Sequence, residues 1–163
     1  MNTTGNEVYP VYILKRTALE IMRFCEDTVP DEALAKLIGT RCVWDGKIYI
    51  KITDWVTGEL EKDGTHATFT SKGLRDCALT LDERYKENLQ SYELGLVHSH
   101  PFNREPFFSL TDISTFLSFP YGHPGNVFIL VCPLSGYFKV FQIRGNKPHG
   151  IYLSLVDYVI YEP

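Results

Sequence analysis

Apolar and polar side chains alternate along the chain with both strand and helix periods, and this mixture predicts an α/β protein with a mixed sheet. Short apolar runs typical of strands are separated by two stretches with helical spacing. Asp45-Gly46 between two such runs favours a type I′ hairpin turn. The predicted strands are 8–14, 32–44, 47–56, 93–98, 127–132, 137–143 and 151–161, and the predicted helices are 17–26 and 110–119.

The segment from 58 to 90 has a weaker pattern. Residues 58–64 are charged and predict a loop, whereas alternation over 66–81 favours an extended ribbon that turns at 71–73. Thr80 followed by Glu83 is typical of the capping box of a helix, which would run to about Gln90. We therefore expect one domain over 1–163, with a mixed, largely antiparallel central sheet and helices packed against it.

Composition narrows the classes of function. The chain has 163 residues, 44% hydrophobic residues and a net charge of −4, so it can bury a core and has no basic footprint for nucleic acid. No apolar run approaches the length of a membrane span, and the N-terminal residues lack a signal-peptide pattern. The four cysteines form no Cys-x-x-Cys pair and indicate free thiols in a reducing cytoplasm, with Cys25 and Cys132 in the core.

Residues that can carry chemistry are concentrated where an apolar strand ends at two histidines. His98 and His100 are two positions apart, so their side chains leave a strand on the same face. Pro101 marks the end of that strand, and Asp112 would lie in the first turn of a helix that begins after Ser109. Two histidines and one carboxylate are typical protein ligands of a catalytic zinc, which keeps its fourth position for water.

Each of these features also has a simpler structural explanation. A His-x-His pair is often accidental, and Ser109-x-x-Asp112 is also a helix capping box. The two explanations of Asp112 are compatible, because a capped helix start can hold a carboxylate in place. Glu32, at the start of an apolar run, is either an acid at an exposed strand entrance or a general base beside a metal site.

Together these residues resemble the signature of the JAMM (MPN+, JAB-type) zinc metallopeptidases, which consists of a strand glutamate, His-x-His-Pro and Ser-x-x-Asp. Glu32 fits the glutamate, and Gly39 fits the glycine that the family has seven positions later. A frequent second glycine of this segment is Ala35 here.

The second half of the signature matches residue by residue at His98, His100, Ser109 and Asp112. Eight residues separate His100 from Ser109, where the family usually has seven. We interpret the extra residue as a local insertion in the loop 101–108, which can bulge without moving the ligands.

The resemblance implies an MPN/JAB fold, a cytidine-deaminase-like α/β/α sandwich, with one Zn²⁺ held by His98, His100 and Asp112. It implies that Glu32 is the general base and then the general acid, and that Ser109 stabilises the oxyanion. The implied substrate is the amide bond after the C-terminal glycine of a ubiquitin or ubiquitin-like protein. The ribbon at 67–72 falls where the family has an insertion that pairs with an extended substrate tail. The short chain resembles stand-alone prokaryotic members.

Two other functions remain open: a metal-free MPN scaffold, and a JAMM hydrolase acting on another peptide or on a sulfur-carrier conjugate. The intact signature argues against the scaffold. Deamination is disfavoured because zinc deaminases need His-x-Glu and Pro-Cys-x-x-Cys, which this chain lacks. The remaining histidines, His66, His123 and His149, are expected at the surface. The three phenylalanines of the histidine loop are expected in the core or at the pocket wall: Phe102, Phe107 and Phe108.

Overall fold

The computed structural model describes residues 8–62, 67–86, 92–101, 108–146 and 150–163. Its elements, in chain order, are β1 (Val11–Leu14), α1 (Lys15–Thr28), β2 (Leu34–Trp44), β3 (Lys47–Val56), β4 (Leu60–Lys62), β5 (Ala67–Phe69), α2 (Ser71–Tyr85), β6 (Tyr92–Ser99), α3 (Leu110–Phe116), β7 (Val127–Cys132), β8 (Tyr137–Asn146), β9 (Gly150–Val156) and β10 (Tyr158–Tyr161).

An eight-stranded mixed sheet lies at the centre, in the order β10-β1-β3-β2-β6-β7-β8-β9, and β4 and β5 form a separate two-stranded sheet. Strand β1 is parallel to β3 and β10, and β6 is parallel to β7, whereas the other pairs are antiparallel. The predicted mixed α/β class is therefore confirmed.

The sheet is strongly curled. A single residue, Asp157, separates β9 from β10, although these two strands lie at opposite ends of the strand order. The two edges must therefore approach each other, and the hydroxyl of Tyr158 in β10 donates to the carbonyl of Phe138 in β8 at 3.4 Å. The sequence predicted one strand over 151–161. The chain instead breaks at Asp157, and β9 and β10 form the two opposite edges of the sheet.

Helices pack on both faces of this sheet. Ala18, Ile21 and Cys25 of α1 lie in a cluster with alternate residues of the central strands, such as Leu37 and Ile129. The opposite face packs against α3 through Leu34, Leu96 and Phe128 and against α2 through Ile38. Within the described ranges, no helix is long and apolar enough to cross a membrane.

The β2–β3 hairpin matches its prediction. Asp45 and Gly46 have φ angles of 52° and 72°, as a type I′ turn requires. Gly39 allows close pairing in this hairpin, since a β-carbon there would lie 1.9 Å from the carbonyl oxygen of Lys51. The glycine of the sequence motif is thus explained by a steric requirement of the two strands. The strand begins at Leu34, so Glu32 precedes it rather than opening it.

The ribbon predicted over 66–81 was wrong beyond its first residues. Strand β5 is short, and the predicted turn at 71–73 is instead the first turn of α2, capped by the Thr70 hydroxyl, which accepts from Gly73 N–H at 3.0 Å. Thr80 lies inside this helix and does not cap a new one; its hydroxyl donates to the carbonyl of Asp76. The expected helix end at Gln90 lies outside the described residues.

The physical reason is that α2 buries little of itself. Only Gly73 and Cys77 are fully buried, so the helical period of apolar residues is weak and resembles alternation. The charged loop predicted at 58–64 also contains an unexpected strand, β4, which antiparallel pairing with β5 stabilises.

Replacing Gly39 by alanine tests the register of the hairpin. We expect the free energy of unfolding to fall by about 3 kcal/mol or more, because the methyl group would meet backbone, which cannot rotate away. Gly136→Ala is the control, since its β-carbon meets nothing within 4 Å and only its φ of 72° opposes alanine; we expect a loss of about 1 kcal/mol. Urea denaturation measures both, and equal small losses would contradict the described pairing.

Candidate metal centre

The two motif histidines lie where β6 leaves the sheet. His98 pairs with Leu34 of β2 and Leu130 of β7, and His100 lies just beyond the end of β6. The His100 N–H still donates to the Val131 carbonyl at 2.9 Å, so the backbone stays extended between the two histidines. Both side chains are therefore on one face, and both residues are buried, with 4% and 5% exposure.

Asp112 joins the two imidazoles. One of its carboxylate oxygens lies 3.4 Å from His98 Nε2 and the other lies 3.1 Å from His100 Nε2. Ligand atoms about 2.0–2.1 Å from a tetrahedral zinc are about 3.3 Å apart, because they form the edges of a tetrahedron. The distances from Asp112 to the two imidazoles are thus close to those between zinc ligands, although they involve its two different oxygens.

A capping box holds Asp112 in this position. The Ser109 hydroxyl accepts from Asp112 N–H at 3.1 Å, and the Asp112 carboxylate accepts from Ser109 N–H at 3.0 Å. Burial acts to raise the pKa of Asp112, but the hydrogen bond from His100, the charge of His98 and the bonds from Ser109 outweigh it and lower the pKa to about 2. The capping and ligand explanations of Asp112 therefore hold together.

Glu32 is part of the same cluster. It is only 6% exposed, which excludes the exposed strand entrance, and its Oε2 lies 3.0 Å from His98 Nε2. Ligand atoms of Glu32, His98 and His100 all lie within 4.8 Å of one another. A buried carboxylate at this position needs a positive partner, and a cation between the four side chains would supply one.

The segment that carries Glu32 is fixed by Ser99, a residue that the sequence analysis did not single out. The Ser99 hydroxyl accepts from Ala33 N–H at 2.7 Å, and the Ser99 N–H donates to the Ala33 carbonyl at 3.1 Å. Ser99 is fully buried on the face opposite the histidines. A small polar residue between two candidate ligands was the only signal for this role.

The residues present fit a metal ion. Among the described residues, the buried Nε2 of His98 has no hydrogen-bond partner, although carboxylate oxygens of Glu32 and Asp112 lie 3.0 and 3.4 Å away. Close acceptors without hydrogen-bond alignment are expected when nitrogen and oxygen atoms point at a common cation rather than at each other. A buried Glu/His/His group with an adjacent aspartate can therefore bind a metal ion, and Asp112 is the carboxylate that approaches both imidazoles.

An aromatic cluster supports the imidazole rings. The ring centroid of Phe108 lies 6.4 Å from that of His98 and 6.3 Å from that of His100. Phe108 packs in turn on Phe116 and Phe141, so it is a core residue. Phe102 and Phe107 lie outside the described residues, as do His66 and His149, whereas His123 is exposed as expected.

A cleft of about 540 Å³ opens beside the cluster. Glu32, His98, Asp112 and Ser109 line it. The other lining residues come from β2, β5, β6, α2, α3 and the segment after α3: Leu34, Leu96, Ala67, Thr68, Phe69, Leu74, Thr111, Thr115, Phe116 and Tyr121. The candidate metal centre is therefore accessible from a largely apolar groove.

No protein-family model matches the sequence, and no curated protein matches it. Solved structures do match, among them the solution structure of protein DSY2949 from Desulfitobacterium hafniense. The two chains are 21% identical over 94% of each, with a TM-score of 0.56. This similarity concerns the fold alone, so the resemblance to JAMM peptidases stays a prediction.

Metal analysis tests the centre. Purified protein should carry about one zinc per chain, and His98→Ala, His100→Ala and Asp112→Ala should each remove most of it, because each takes away one of three ligands. His123→Ala, which changes an exposed histidine, is the control and should keep full zinc content. Elemental analysis by mass spectrometry measures the ratio. Full occupancy in a His98→Ala/His100→Ala double variant would contradict the assignment.

Proposed function

We propose that this chain is a zinc-dependent isopeptidase of the JAMM type, which hydrolyses the amide bond after the C-terminal glycine of a ubiquitin-like protein. The observation that carries the proposal is the approach of both imidazoles to Asp112, with a buried Glu32 beside them at 3.0 Å from His98. The signature residues resemble the family in sequence, and their proximity in the fold supports the proposal. A metal-free scaffold would not need a buried Glu32 against His98.

His98, His100 and Asp112 would hold the metal. Asp112 is ionised at neutral pH, as an ordinary aspartate also would be, and the hydrogen bonds that lower its pKa to about 2 hold the carboxylate in place. Zinc, when bound, supplies Lewis acidity, which polarises a carbonyl oxygen and lowers the pKa of water to about 7.

Glu32 is the proton carrier in this proposal. Glu32 lies just before β2, and its Oε2 is 3.0 Å from His98 Nε2. From this position Glu32 takes a proton from the attacking water and later delivers it to the leaving amine. Ser99 bonds to the backbone of Ala33, the residue after Glu32, and this contact limits movement of the carboxylate during both transfers.

Ser109 has a different role. Its hydroxyl oxygen accepts from Asp112 N–H, and the hydroxyl also acts on the Asp112 carboxylate. Ser109 lines the cleft, so in this proposal its hydroxyl hydrogen turns from Asp112 to the substrate oxygen on which negative charge develops.

The cleft suits an extended chain. Strand β5 pairs with β4 so that Thr70 N–H, one residue after the strand, bonds to Glu59. Backbone groups alternate between the two sides of an antiparallel strand, so the N–H and carbonyl of Phe69 point away from β4. A substrate tail in the groove can add to this edge as a further strand, with its C-terminal glycine at the metal end.

Substitution of Glu32 separates chemistry from binding. Glu32→Gln keeps the shape of the side chain but loses the base, so we expect turnover to fall about 10²–10⁴-fold while zinc content stays unchanged. Glu26→Gln, in the exposed part of α1, is the matched control and should retain activity. Rates are measured on a fusion in which a ubiquitin-like protein with a C-terminal glycine precedes a short peptide. Normal turnover of Glu32→Gln would remove Glu32 from the mechanism.

Strand addition makes a second prediction about the substrate. Phe69→Pro removes an N–H that points away from β4, so kcat/KM for the fusion should fall about tenfold, as expected for one or two lost backbone hydrogen bonds. Phe69→Leu keeps both the N–H and the apolar side chain and should retain activity. Zinc content should be equal in both variants.

Unstructured peptides of the same tail sequence should be poor substrates, because the folded modifier supplies most of the binding. Equal cleavage of arbitrary peptides and of glycine-ended fusions would reject a ubiquitin-like substrate and indicate a general metallopeptidase.

A further inference from the structure

Strand β6 contains a bulge near its N-terminal end, away from the two histidines. Leu37 pairs with Gly95 and Ile38 pairs with Glu93, so Leu94 is an extra residue without a partner in β2. Leu94 and Leu96 would share a face in a regular strand, but Leu94 packs in the cluster against α1 and Leu96 packs in the cluster on the opposite face.

Gly95 makes this bulge possible. Its φ is 146°, and a β-carbon there would lie 1.6 Å from the carbonyl oxygen of Val127. The extra residue reverses the alternation of the strand, so Glu93 lies on the same face as Leu96 and His98. Without the bulge, Glu93 would face α1 instead of the cleft side of the sheet.

Glu93 pairs there with a buried lysine. Lys36 Nζ lies 3.0 and 3.1 Å from the two carboxylate oxygens of Glu93. The Lys36 side chain is 10% exposed and that of Glu93 is 40% exposed. The ammonium group is thus covered and neutralised, and the carboxylate is the part of the pair that solvent or a ligand can reach.

Tyr121 connects this pair to the cleft. It lines the metal cleft and also a smaller depression of about 260 Å³ that contains Glu93. Burial raises the pKa of the Tyr121 phenol, and the charges of Lys36 and Glu93 act on it in opposite directions. A chain that runs from the metal along the apolar floor and past Tyr121 therefore reaches Glu93.

We propose that Glu93, turned to the cleft face by the Gly95 bulge and held by Lys36, is a specificity subsite for a basic side chain in the substrate tail. This proposal rests on the proposed function and names a feature of the substrate. His98 and Glu93 are four strand spacings apart once the bulge is discounted, or roughly 13 Å. An extended substrate rises by the same amount per residue, so the basic side chain is about four residues before the cleaved bond.

The charges around the subsite favour a cation over an anion. Lys36 is paired with Glu93, and its ammonium group is covered, so a carboxylate of the substrate cannot reach it. Arg41 also lines the smaller depression, but it is exposed, so solvent screens its charge. Its Nη2 donates to the Pro124 carbonyl and to Asn126 Oδ1. The accessible acceptor is the Glu93 carboxylate, which can take a further hydrogen bond from arginine or lysine.

The test is a scan of the substrate with holoenzyme. Arginine, alanine or glutamate is placed at each of the positions two to six before the cleaved bond of the glycine-ended fusion, and kcat/KM is measured for each. We expect arginine to exceed alanine by about tenfold near position four, as for a charged hydrogen bond, and glutamate to be the poorest residue there. The preference should be absent at the other positions.

Protein variants identify the group responsible. Lys36→Met frees the Glu93 carboxylate and should keep or increase the ratio of arginine to alanine rates. Lys36→Met/Glu93→Gln removes the whole pair without leaving a buried charge, and its ratio should fall to about one. Glu83→Gln, an exposed acid of α2, is the control and should keep the ratio of the unchanged protein. Zinc content and thermal unfolding of each variant show that it is folded.

Two failures are distinguishable. Wild-type protein that cleaves no glycine-ended fusion contradicts the proposed function. Wild-type protein that cleaves the fusions with equal rates at every scanned position, or a double variant that keeps the arginine preference, overturns the Glu93 subsite and leaves the proposed function intact.

Discussion

The backbone pairing at the ends of β2, β6 and β7 is the constraint on which the metal centre depends. His98 is locked between β2 and β7, and the hydrogen bond from His100 to Val131 carries the extended backbone past the last strand residue. Ser99, on the other face, holds the backbone of Ala33. These contacts fix three segments that are far apart in sequence relative to one another. None of the contacts involves a side chain of the candidate centre.

The side chains of the candidate centre impose a second constraint, which is the balance of charge among them. The buried Glu32 and the partly exposed Asp112 lie against two buried imidazoles, a costly arrangement unless charges are matched. Asp112 meets this requirement with hydrogen bonds from His100 and Ser109, which lower its pKa to about 2. His98 is not satisfied in this way. Among the described residues, its Nε2 has no hydrogen-bond partner, although it lies close to two carboxylates. This imbalance is the physical argument for a cation at the site.

Glycines determine how closely the strands around the centre approach. Gly39 removes a methyl group that would collide with Lys51, and Gly95 removes one that would collide with Val127. The first lets β3 pair with β2, and the second lets β6 carry a bulge beside β7. The cleft side of the sheet therefore changes from apolar Leu96 to charged Glu93 over a few residues of one strand.

The sequence by itself determined the mixed α/β class, the hairpin at Asp45 and the candidate ligands, because each depends on neighbours within a few positions of the chain. His98 and His100 share a face by strand geometry alone, and the capping box of Ser109 and Asp112 is equally local. Helix α2 was missed, since the few buried residues of a half-exposed helix leave a weak period. Only the tertiary structure decided that Glu32 is buried against His98, that Ser99 fixes it, and that the Gly95 bulge turns Glu93 to the cleft. These features depend on which strands pair and in what register, and pairing between distant segments leaves no periodic trace in a single sequence.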